Sequence, residues 1–211
     1  MRKPRICAVI VSNNPAAVAN IEPLVDLFGD DWTELVKRFN KPWIACNRNA
    51  EEGGGWQGNE ARRLEKLLQA IELGADIVDI ELRTRNLENI VQLVKKRTKC
   101  LLSFHYLEKT PTLDEMKEVV RRQLKAGADI CKVVTTAQRF EDNLTVLQLI
   151  SAFPAIRLVS FAMGTSGSIS RVLCPLVGGD FTYASIEEGK ESAQGQITVG
   201  DLAKIYDIVI E

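Results

Sequence analysis

Two stretches decide the fold: "GADIVDIEL", residues 74–82, and "GADICKVV", residues 127–134, which repeat one phrase within the chain. In each, a glycine follows a segment of helical period, and an apolar, β-branched run begins at once. That order is typical of a helix-to-strand junction. Further strand-like runs occur at residues 5–12, 42–48, 99–106, 156–163 and 181–185. Strands that alternate with helices predict a parallel α/β sheet.

The segments between these runs carry helical signals. Thr112 and Glu115 predict a capping box, and Gly74 and Gly127 are placed to end helices. Nearly eight strand–helix units without a linker favour a (β/α)8 TIM barrel over a doubly wound sheet, as a single domain of residues 1–211. Apolar residues recur at spacings of three and four at Leu64, Leu67, Leu68 and Ile71, at Leu87, Ile90, Val91 and Val94, at Met116, Val119 and Val120, and at Leu202, Ile205 and Val209.

Composition narrows the class of protein. The 211 residues carry 27 Lys+Arg against 28 Asp+Glu, a formal net charge of −1, which argues against nucleic-acid and acidic-lipid partners. The five cysteines form no CxxC pair, so reduced, buried thiols are expected rather than disulfides or zinc. No apolar run reaches membrane-spanning length, and no signal-peptide core follows "MRKPR". We therefore expect a soluble cytoplasmic protein.

Strand alternation predicts which side chains face the barrel interior. Within residues 77–83, the apolar Val78, Ile80 and Leu82 suit packing against helices. The alternate residues must then face inward. Those residues are Ile77, Asp79, Glu81 and Arg83, joined on other strands by Arg48, Ser103, His105 and Lys132. Because catalytic groups of barrels lie at the carboxyl ends of strands, these side chains are candidates for one site.

Lys132 and the single histidine, His105, suggest carbonyl chemistry. Burial lowers the pKa of a lysine and frees its amine to form a Schiff base with a ketone or aldehyde. His105 can then move protons at neutral pH. The alternative for Lys132 is a structural barrel lysine paired with Asp79 or Glu81, and a lone histidine can equally be structural.

The glycine-rich stretch "NRNAEEGGGWQGNE", residues 47–60, formally contains G-x-G-x-x-G at Gly53, Gly55 and Gly58. Four polar residues separate the strand end from the first glycine, whereas a dinucleotide fingerprint turns tightly out of its strand. A mobile loop that brings Glu51 or Glu52 towards Arg48 is the favoured interpretation. A solvated acidic turn is the alternative.

"MGTSGSISR", residues 163–171, ends a strand and starts a helix. Its free backbone N–H groups and Arg171 predict an anion site for a carboxylate or phosphate, with an ordinary helix cap as the alternative. The later polar loop "SAQGQ", residues 192–196, does not by itself indicate a function.

Seven phrases together resemble type I 3-dehydroquinate dehydratase, a shikimate-pathway lyase. They run in order from about residue 42 to the carboxyl end with family-like spacing. The phrases are "NRNAEEGG", "GADIVDIEL", "SFHYLEKTP", "GADICKVV", "MGTSGSISRVL", "FTYAS" and "SAQGQITV". The resemblance implies a (β/α)8 barrel, a homodimer, and a reaction that needs no metal or organic cofactor.

The resemblance also implies roles for individual residues. Lys132 matches the imine-forming lysine, His105 the general acid and base, and Asp79 a supporting acid. Arg48 and Glu52 match the arginine and glutamate after strand three. Substrate contacts are implied for Arg171, Ser192 and Gln196 as a carboxylate clamp, for Met163 and Tyr183 as pocket walls, and for Ser12 on strand one.

The sequence departs from the family at strand two, where an E-x-R-x-D motif is usual. One alignment puts Glu22–Asp26 there, with Leu24 in place of the arginine. The other takes Val18, Ile21, Val25 and Phe28 as one helix that leaves little room for a strand, and it is slightly preferred because Pro23 suits a central strand poorly. Gln194 also replaces a proline of the last loop.

These departures keep three functions open. The first is dehydration of 3-dehydroquinate, EC 4.2.1.10, with reduced efficiency if substrate contacts are missing. The second is a class I aldolase-type Schiff-base enzyme. The third is a paralogue that binds a carboxylic acid without turning it over.

Overall fold

The computed structural model of this chain describes residues 4–10, 21–23, 33, 36, 37 and 41–210, with the backbone alone at 21–23. Ser12 lies outside these ranges. Eight strands are described, all paired in parallel. They are β1 (Ile6–Ile10), β2 (Ile21–Pro23), β3 (Ile44–Cys46), β4 (Ile77–Glu81), β5 (Lys99–His105), β6 (Ile130–Thr136), β7 (Leu158–Met163) and β8 (Thr182–Ser185).

Strand order follows chain order, with β8 paired to β1. The hydrogen-bonded ladders run β2–β1–β8 and β3–β4–β5–β6–β7. Asp180 N–H donates to the carbonyl of Leu158, which ties the start of β8 to the start of β7 (2.8 Å). The fold is the predicted (β/α)8 barrel.

Six α-helices are described, and their starts and ends follow the predicted signals. Both bonds of the Thr112–Glu115 capping box are present, and Gly74 and Gly127 have φ of 90° and 95°, the left-handed conformation that glycine permits. The helices are α1 (Glu60–Glu72), α2 (Leu87–Lys95), α3 (Leu113–Lys125), α4 (Asp142–Ser151), α5 (Ser168–Leu173) and α6 (Val199–Ile210).

In the last helix, the predicted apolar face is wrong at one position. Leu202 is fully buried as expected, but Val209 is 55% exposed. The second buried position is Tyr206, whose hydroxyl donates to the carbonyl of Val172 (3.0 Å). The predicted stripe contained only aliphatic residues, whereas the second buried residue is an aromatic whose hydroxyl is hydrogen-bonded.

Two apolar layers lie on either side of the barrel wall. Val78, Ile80 and Leu82 pack outward with residues of the helices, while Cys7, Ile130 and Phe161 belong to the inner cluster. The predicted inward facing of Asp79, Glu81, Ser103, His105 and Lys132 agrees with their burial and mutual bonds.

Arg83 differs from its predicted inward position. Strand β4 ends at Glu81, and the exposed Arg83 guanidinium lies 4.4 Å from the ring centroid of Phe104 on the outer layer. Side chains alternate between the two faces only within a strand, so the alternation does not predict the direction of a residue beyond the strand end.

Strand two is present, which shows that the preferred helical interpretation of residues 18–28 is wrong at Ile21–Pro23. Its backbone pairs with β1 in the register Ala8–Ile21, Val9–Glu22 and Ile10–Pro23. Proline is accommodated because it occupies the last position of a three-residue strand, and no ladder joins β2 to β3 among the described residues. Glu22 is therefore on a strand; Leu24 and Asp26 lie outside the described residues.

All five cysteines are buried, and none forms a disulfide among the described residues, as predicted. None of the helices in the described ranges is long and apolar enough to cross a bilayer.

Candidate active site

A cavity of about 160 Å³ opens at the carboxyl ends of the strands. Most of the predicted site residues line it. Asp79 lies behind the wall and is fully buried, and Ser12 is not described. The predicted residues on the lining are Arg48, Glu52, His105, Lys132, Met163, Arg171, Tyr183, Ser192 and Gln196.

Lys132 is held in the cavity wall by charge and by an aromatic ring. Its Nζ donates to Asp79 Oδ2 at 3.0 Å and lies 4.3 Å from the ring centroid of Tyr183. Lys132 is 6% exposed, so its amine faces the cavity rather than bulk water. The structural pairing with Asp79 and the reactive role considered from the sequence are thus compatible.

Asp79 connects Lys132 to Arg48. Arg48 Nη2 donates to Asp79 Oδ2 (2.6 Å), and Ser103 Oγ donates to Asp79 Oδ1 (2.5 Å). Burial alone would raise the pKa of Asp79, but the charges of Arg48 and Lys132 outweigh it and hold that pKa well below its usual range. Asp79 is therefore a permanent anion next to the amine.

His105 forms a pair with Glu52 on the opposite side of the amine. Glu52 Oε2 accepts from the backbone N–H of His105 (3.1 Å) and lies 2.8 Å from its Nδ1. Because the carboxylate oxygen accepts, we assign the ring proton to Nδ1, which leaves Nε2 as the basic nitrogen. Burial, then Arg48 and Lys132, lower the pKa of His105 well below its ordinary value, so the imidazole is neutral at neutral pH.

Glu52 itself titrates near neutrality. Burial raises its pKa to about 7, against the opposing charge of Arg48. Of the two acids considered from the sequence, Glu52 lies in the cavity and Glu51 is exposed. The solvated-turn alternative is wrong for Glu52.

The loop of residues 49–56 carries Glu52 because it folds back on the end of β3. Ala50–Glu52 is a 3₁₀ turn, and Trp56 N–H donates to the carbonyl of Arg48 (3.2 Å). A Cβ at Gly54 would lie 2.0 Å from that same carbonyl oxygen. The glycines serve close backbone packing of this loop, and Gly53, Gly54 and Gly55 line the cavity.

Gly54→Ala is expected to displace the loop and to lower the free energy of unfolding by about 1–3 kcal/mol, the usual cost of overpacking. Thermal unfolding checks this. Gly200→Ala is the matched control, because its Cβ would meet only Thr198 Oγ1 at 4.0 Å. Equal melting temperatures for both variants would contradict the close packing.

Arg171 is a buried cation that forms no ion pair with an acid among the described residues. It is 1% exposed, its guanidinium lies 4.4 Å from the ring centroid of Phe161, and Nε and Nη2 have no hydrogen-bond partner within the described ranges. Burial lowers its pKa to about 10. An unpaired buried cation is costly, and an anionic ligand group would satisfy it.

Some backbone N–H groups of the predicted anion site around Arg171 already have hydrogen-bond acceptors. The N–H groups of Gly164, Gly167 and Ser170 already donate, to Gln194 O, Gly164 O and Asn143 Oδ1. These three donors are already used, so the predicted anion site rests on Arg171 more than on them.

The last loop closes the cavity beside Arg171. Gln196 Oε1 accepts from the backbone N–H of Ser192 (2.9 Å). The proline replaced by Gln194 matters little to this arrangement, because Gly164 N–H bonds to the main-chain carbonyl of residue 194 (3.1 Å), which proline also has.

Sequence reasoning missed Arg63, Cys46 and Phe161. Arg63 is 1% exposed on α1, and a signal existed, because it lies four residues before the buried Leu67 on the apolar face. Cys46 Sγ accepts from Arg48 Nη2 (3.2 Å), a contact that no local pattern encodes.

The arrangement combines an amine, a neutral imidazole and an unpaired arginine in one cavity. An amine forms an imine with a carbonyl, an adjacent base removes a proton activated by that imine, and an arginine holds a carboxylate. The cavity is therefore built for proton transfer next to a ketone on an acidic small molecule.

Comparisons with known proteins agree with this chemistry. A family model described as type I 3-dehydroquinase matches residues 12–211. A 3-dehydroquinate dehydratase of Dehalococcoides mccartyi strain CBDB1 is 41% identical over 213 residues, covering 98% of this chain and 96% of that protein. One of Methanocaldococcus jannaschii is 35% identical, covering 90% and 86%. The solved 3-dehydroquinate dehydratase of Geobacillus kaustophilus superimposes with a TM-score of 0.89 at 25% identity, covering 99% and 92%.

Proposed function

This chain belongs to the type I 3-dehydroquinase family, and we infer that it is a hydro-lyase that converts 3-dehydroquinate to 3-dehydroshikimate and water through an imine on Lys132. The observation that carries this function is the single cavity shared by Lys132, His105 and the unpaired Arg171.

The first step forms the imine. The ammonium of Lys132 gives one proton to water, and the resulting neutral amine attacks the ketone carbon of the substrate. The oxygen leaves as water and one proton is taken up again, so that the imine is protonated. Asp79, 3.0 Å from Nζ, stabilises the positive charge that develops on nitrogen. The protonated imine withdraws electrons from the neighbouring CH2 and makes its hydrogens acidic.

His105 then moves protons. Its Nε2 takes a proton from the activated CH2, and Glu52 stabilises the imidazolium that forms through Nδ1. The resulting enamine expels the C1 hydroxyl, which receives the proton from His105 and leaves as water. Hydrolysis of the imine releases the product and restores Lys132.

Arg171 orients the substrate by its carboxylate, with Ser192 and Gln196 at the same end of the cavity. Met163 and Tyr183 form its walls, and Arg48 and Asp79 hold the charge around the amine. A contact from Ser12 stays a prediction. The aldolase alternative has less support, because three of the backbone donors that a phosphate could use after β7, those of Gly164, Gly167 and Ser170, are already bonded.

Turnover tests the proposal. Purified protein with 3-dehydroquinate should produce a rising ultraviolet absorbance from the conjugated enone, and borohydride added during turnover should trap an adduct on Lys132. Trapping without enone would favour the paralogue that binds and does not dehydrate. If a folded protein gave neither the enone absorbance nor the adduct, the proposal would be excluded.

Arg171→Met should raise KM about 100-fold, because two charge-assisted hydrogen bonds contribute about 3 kcal/mol. The melting temperature should rise, since the variant no longer buries an unpaired charge. Steady-state kinetics and thermal unfolding measure both. Arg139→Met, an exposed arginine, is the control; an unchanged KM or a lower melting temperature in Arg171→Met would contradict the assignment.

We further propose that residues 1–211 form one catalytic domain that acts as a homodimer in the cytoplasm. The family match over residues 12–211 supports one domain, and five buried thiols without a disulfide among the described residues suit a reducing compartment. Phe140 and Leu144, 65% and 60% exposed, are apolar surface that a second subunit would cover.

A further inference from the structure

Six charged side chains of alternating sign run from the outer face of α1 to the reactive lysine. Each neighbouring pair is in ion-pair contact. In order they are Glu60, Arg63, Glu81, Arg48, Asp79 and Lys132, with separations of 2.8, 2.7, 3.2, 2.6 and 3.0 Å. Glu60 is the only one with substantial exposure, 35% of its side chain.

Arg63 joins the helix layer to the barrel interior. It is 1% exposed and does not line the cavity. It donates four hydrogen bonds, to Glu60 through Nε and Nη2, to the Asn47 carbonyl through Nη1 and to Thr84 through Nη2. Its Nη1 also lies 2.7 Å from Glu81 Oε2, an ion-pair contact without hydrogen-bond geometry, so Arg63 acts on Glu81 by its charge.

Arg48 lies between two carboxylates that compete for it. Its Nη2 bonds to Asp79 at 2.6 Å, whereas its Nη1 lies 3.2 Å from Glu81. Glu81 can remain the weaker partner because Arg63 meets its charge at 2.7 Å. Without Arg63, the full charge of Glu81 would act on Arg48, and Asp79 would rely more on Lys132.

We propose that Arg63 is a positioning residue for imine formation: it neutralises Glu81 so that Arg48 stays on Asp79, and it thereby sets the charge that Lys132 experiences. This inference rests on the proposed function, because it concerns the amine that forms the imine.

The groups around Lys132 determine which signs to expect. Removal of the Arg63 cation makes the charge of the surrounding cluster more negative by one. This stabilises the ammonium form of Lys132 and the protonated form of Glu52. Both effects move activity to higher pH. Among the described residues, the charged and titratable side chains around Lys132 and its cavity are Cys46 on β3, Arg48 and Glu52 after β3, Asp79 and Glu81 on β4, His105 on β5, Arg171 on α5 and Tyr183 on β8.

The test is the pH dependence of borohydride trapping with 3-dehydroquinate, read as the fraction of Lys132 modified. In Arg63→Met the midpoint should rise by about one pH unit, the usual effect of a nearby uncompensated charge. Arg63→Lys should return it towards the wild-type value. Arg62→Met, the exposed neighbour on the same helix, is the control and should leave it unchanged.

Glu60→Gln gives a second, independent test of opposite sign. The carboxylate of Glu60 partly neutralises Arg63. Without that carboxylate, Arg63 acts more strongly on Glu81, and the midpoint should fall by a few tenths of a pH unit. The change lies at a partly exposed position and does not threaten folding. Glu65→Gln, an exposed acid on α1, is the matched control.

The outcomes are distinguishable. Opposite shifts in Arg63→Met and Glu60→Gln support the inference. Midpoints that coincide with wild type, with only a uniform loss of activity, would mean that Arg63 has a structural role and would overturn it. If Arg63→Met does not fold, the sign of the Glu60→Gln shift decides. A wild-type protein without adduct would instead refute the proposed function.

Discussion

Lys132→Met should form no borohydride-trapped adduct and should lower kcat by about four orders of magnitude or more, because the variant has no amine to form the imine. Methionine has a similar length and leaves Tyr183 in contact with an apolar side chain. Asp79 keeps Arg48 and Ser103 as partners. The loss of stability should therefore stay below the ~3–5 kcal/mol of an abandoned buried charge.

The measurements for Lys132→Met are enone absorbance, adduct mass and thermal unfolding. Lys125→Met, an exposed lysine at the end of α3, is the control and should match wild type in all three. Residual turnover within tenfold of wild type in folded Lys132→Met would show that the reaction does not pass through this amine.

His105→Gln should lower kcat by about 10²- to 10⁴-fold, the usual contribution of a general acid–base group, while borohydride still traps an adduct on Lys132. The two effects separate because imine formation uses the amine, whereas the elimination requires the imidazole for proton transfer. Enone absorbance and adduct mass measure them. Loss of both signals would instead indicate that His105 is needed to shape the cavity.

The companion experiment is the pH profile. Because burial raises the pKa of Glu52 to about 7, wild-type kcat should fall as the pH drops through that value and Glu52 takes up a proton. A protonated Glu52 no longer stabilises imidazolium. Glu52→Gln should lose this limb, with a lower kcat than wild type above pH 7 and a similar kcat well below it; an unchanged limb would mean that another group titrates there.

Much of the site could be predicted because local patterns carry it. The period of two in β4 places Asp79 inward, and the strand end places His105 at the cavity. The prediction failed where a pattern was short or interrupted. Three residues of β2 are too few to show a period, and only pairing with β1 identifies them as a strand.

Other features depend on how a loop or helix start folds back on its own backbone and on neighbouring loops. The Gly54 requirement follows from the backbone of Arg48, which lies 2.0 Å from where a Cβ would be. The occupied donors of Gly164 and Gly167 could not be foreseen, because any helix start looks like an open anion site in sequence.

The sequence by itself determined the barrel and the helix ends, because the hydrophobic period and the caps are set by residues a few positions apart, while the roles of Lys132 and His105 stay predictions. The tertiary structure alone decided the charge state of the site. Asp79 is an anion and His105 is neutral because of side chains that come from different strands and helices, and Arg171 Nε and Nη2 have no hydrogen-bond partner in the part of the chain that the structure describes. Such electrostatic effects depend on distance and burial in three dimensions, which the linear order of residues does not contain.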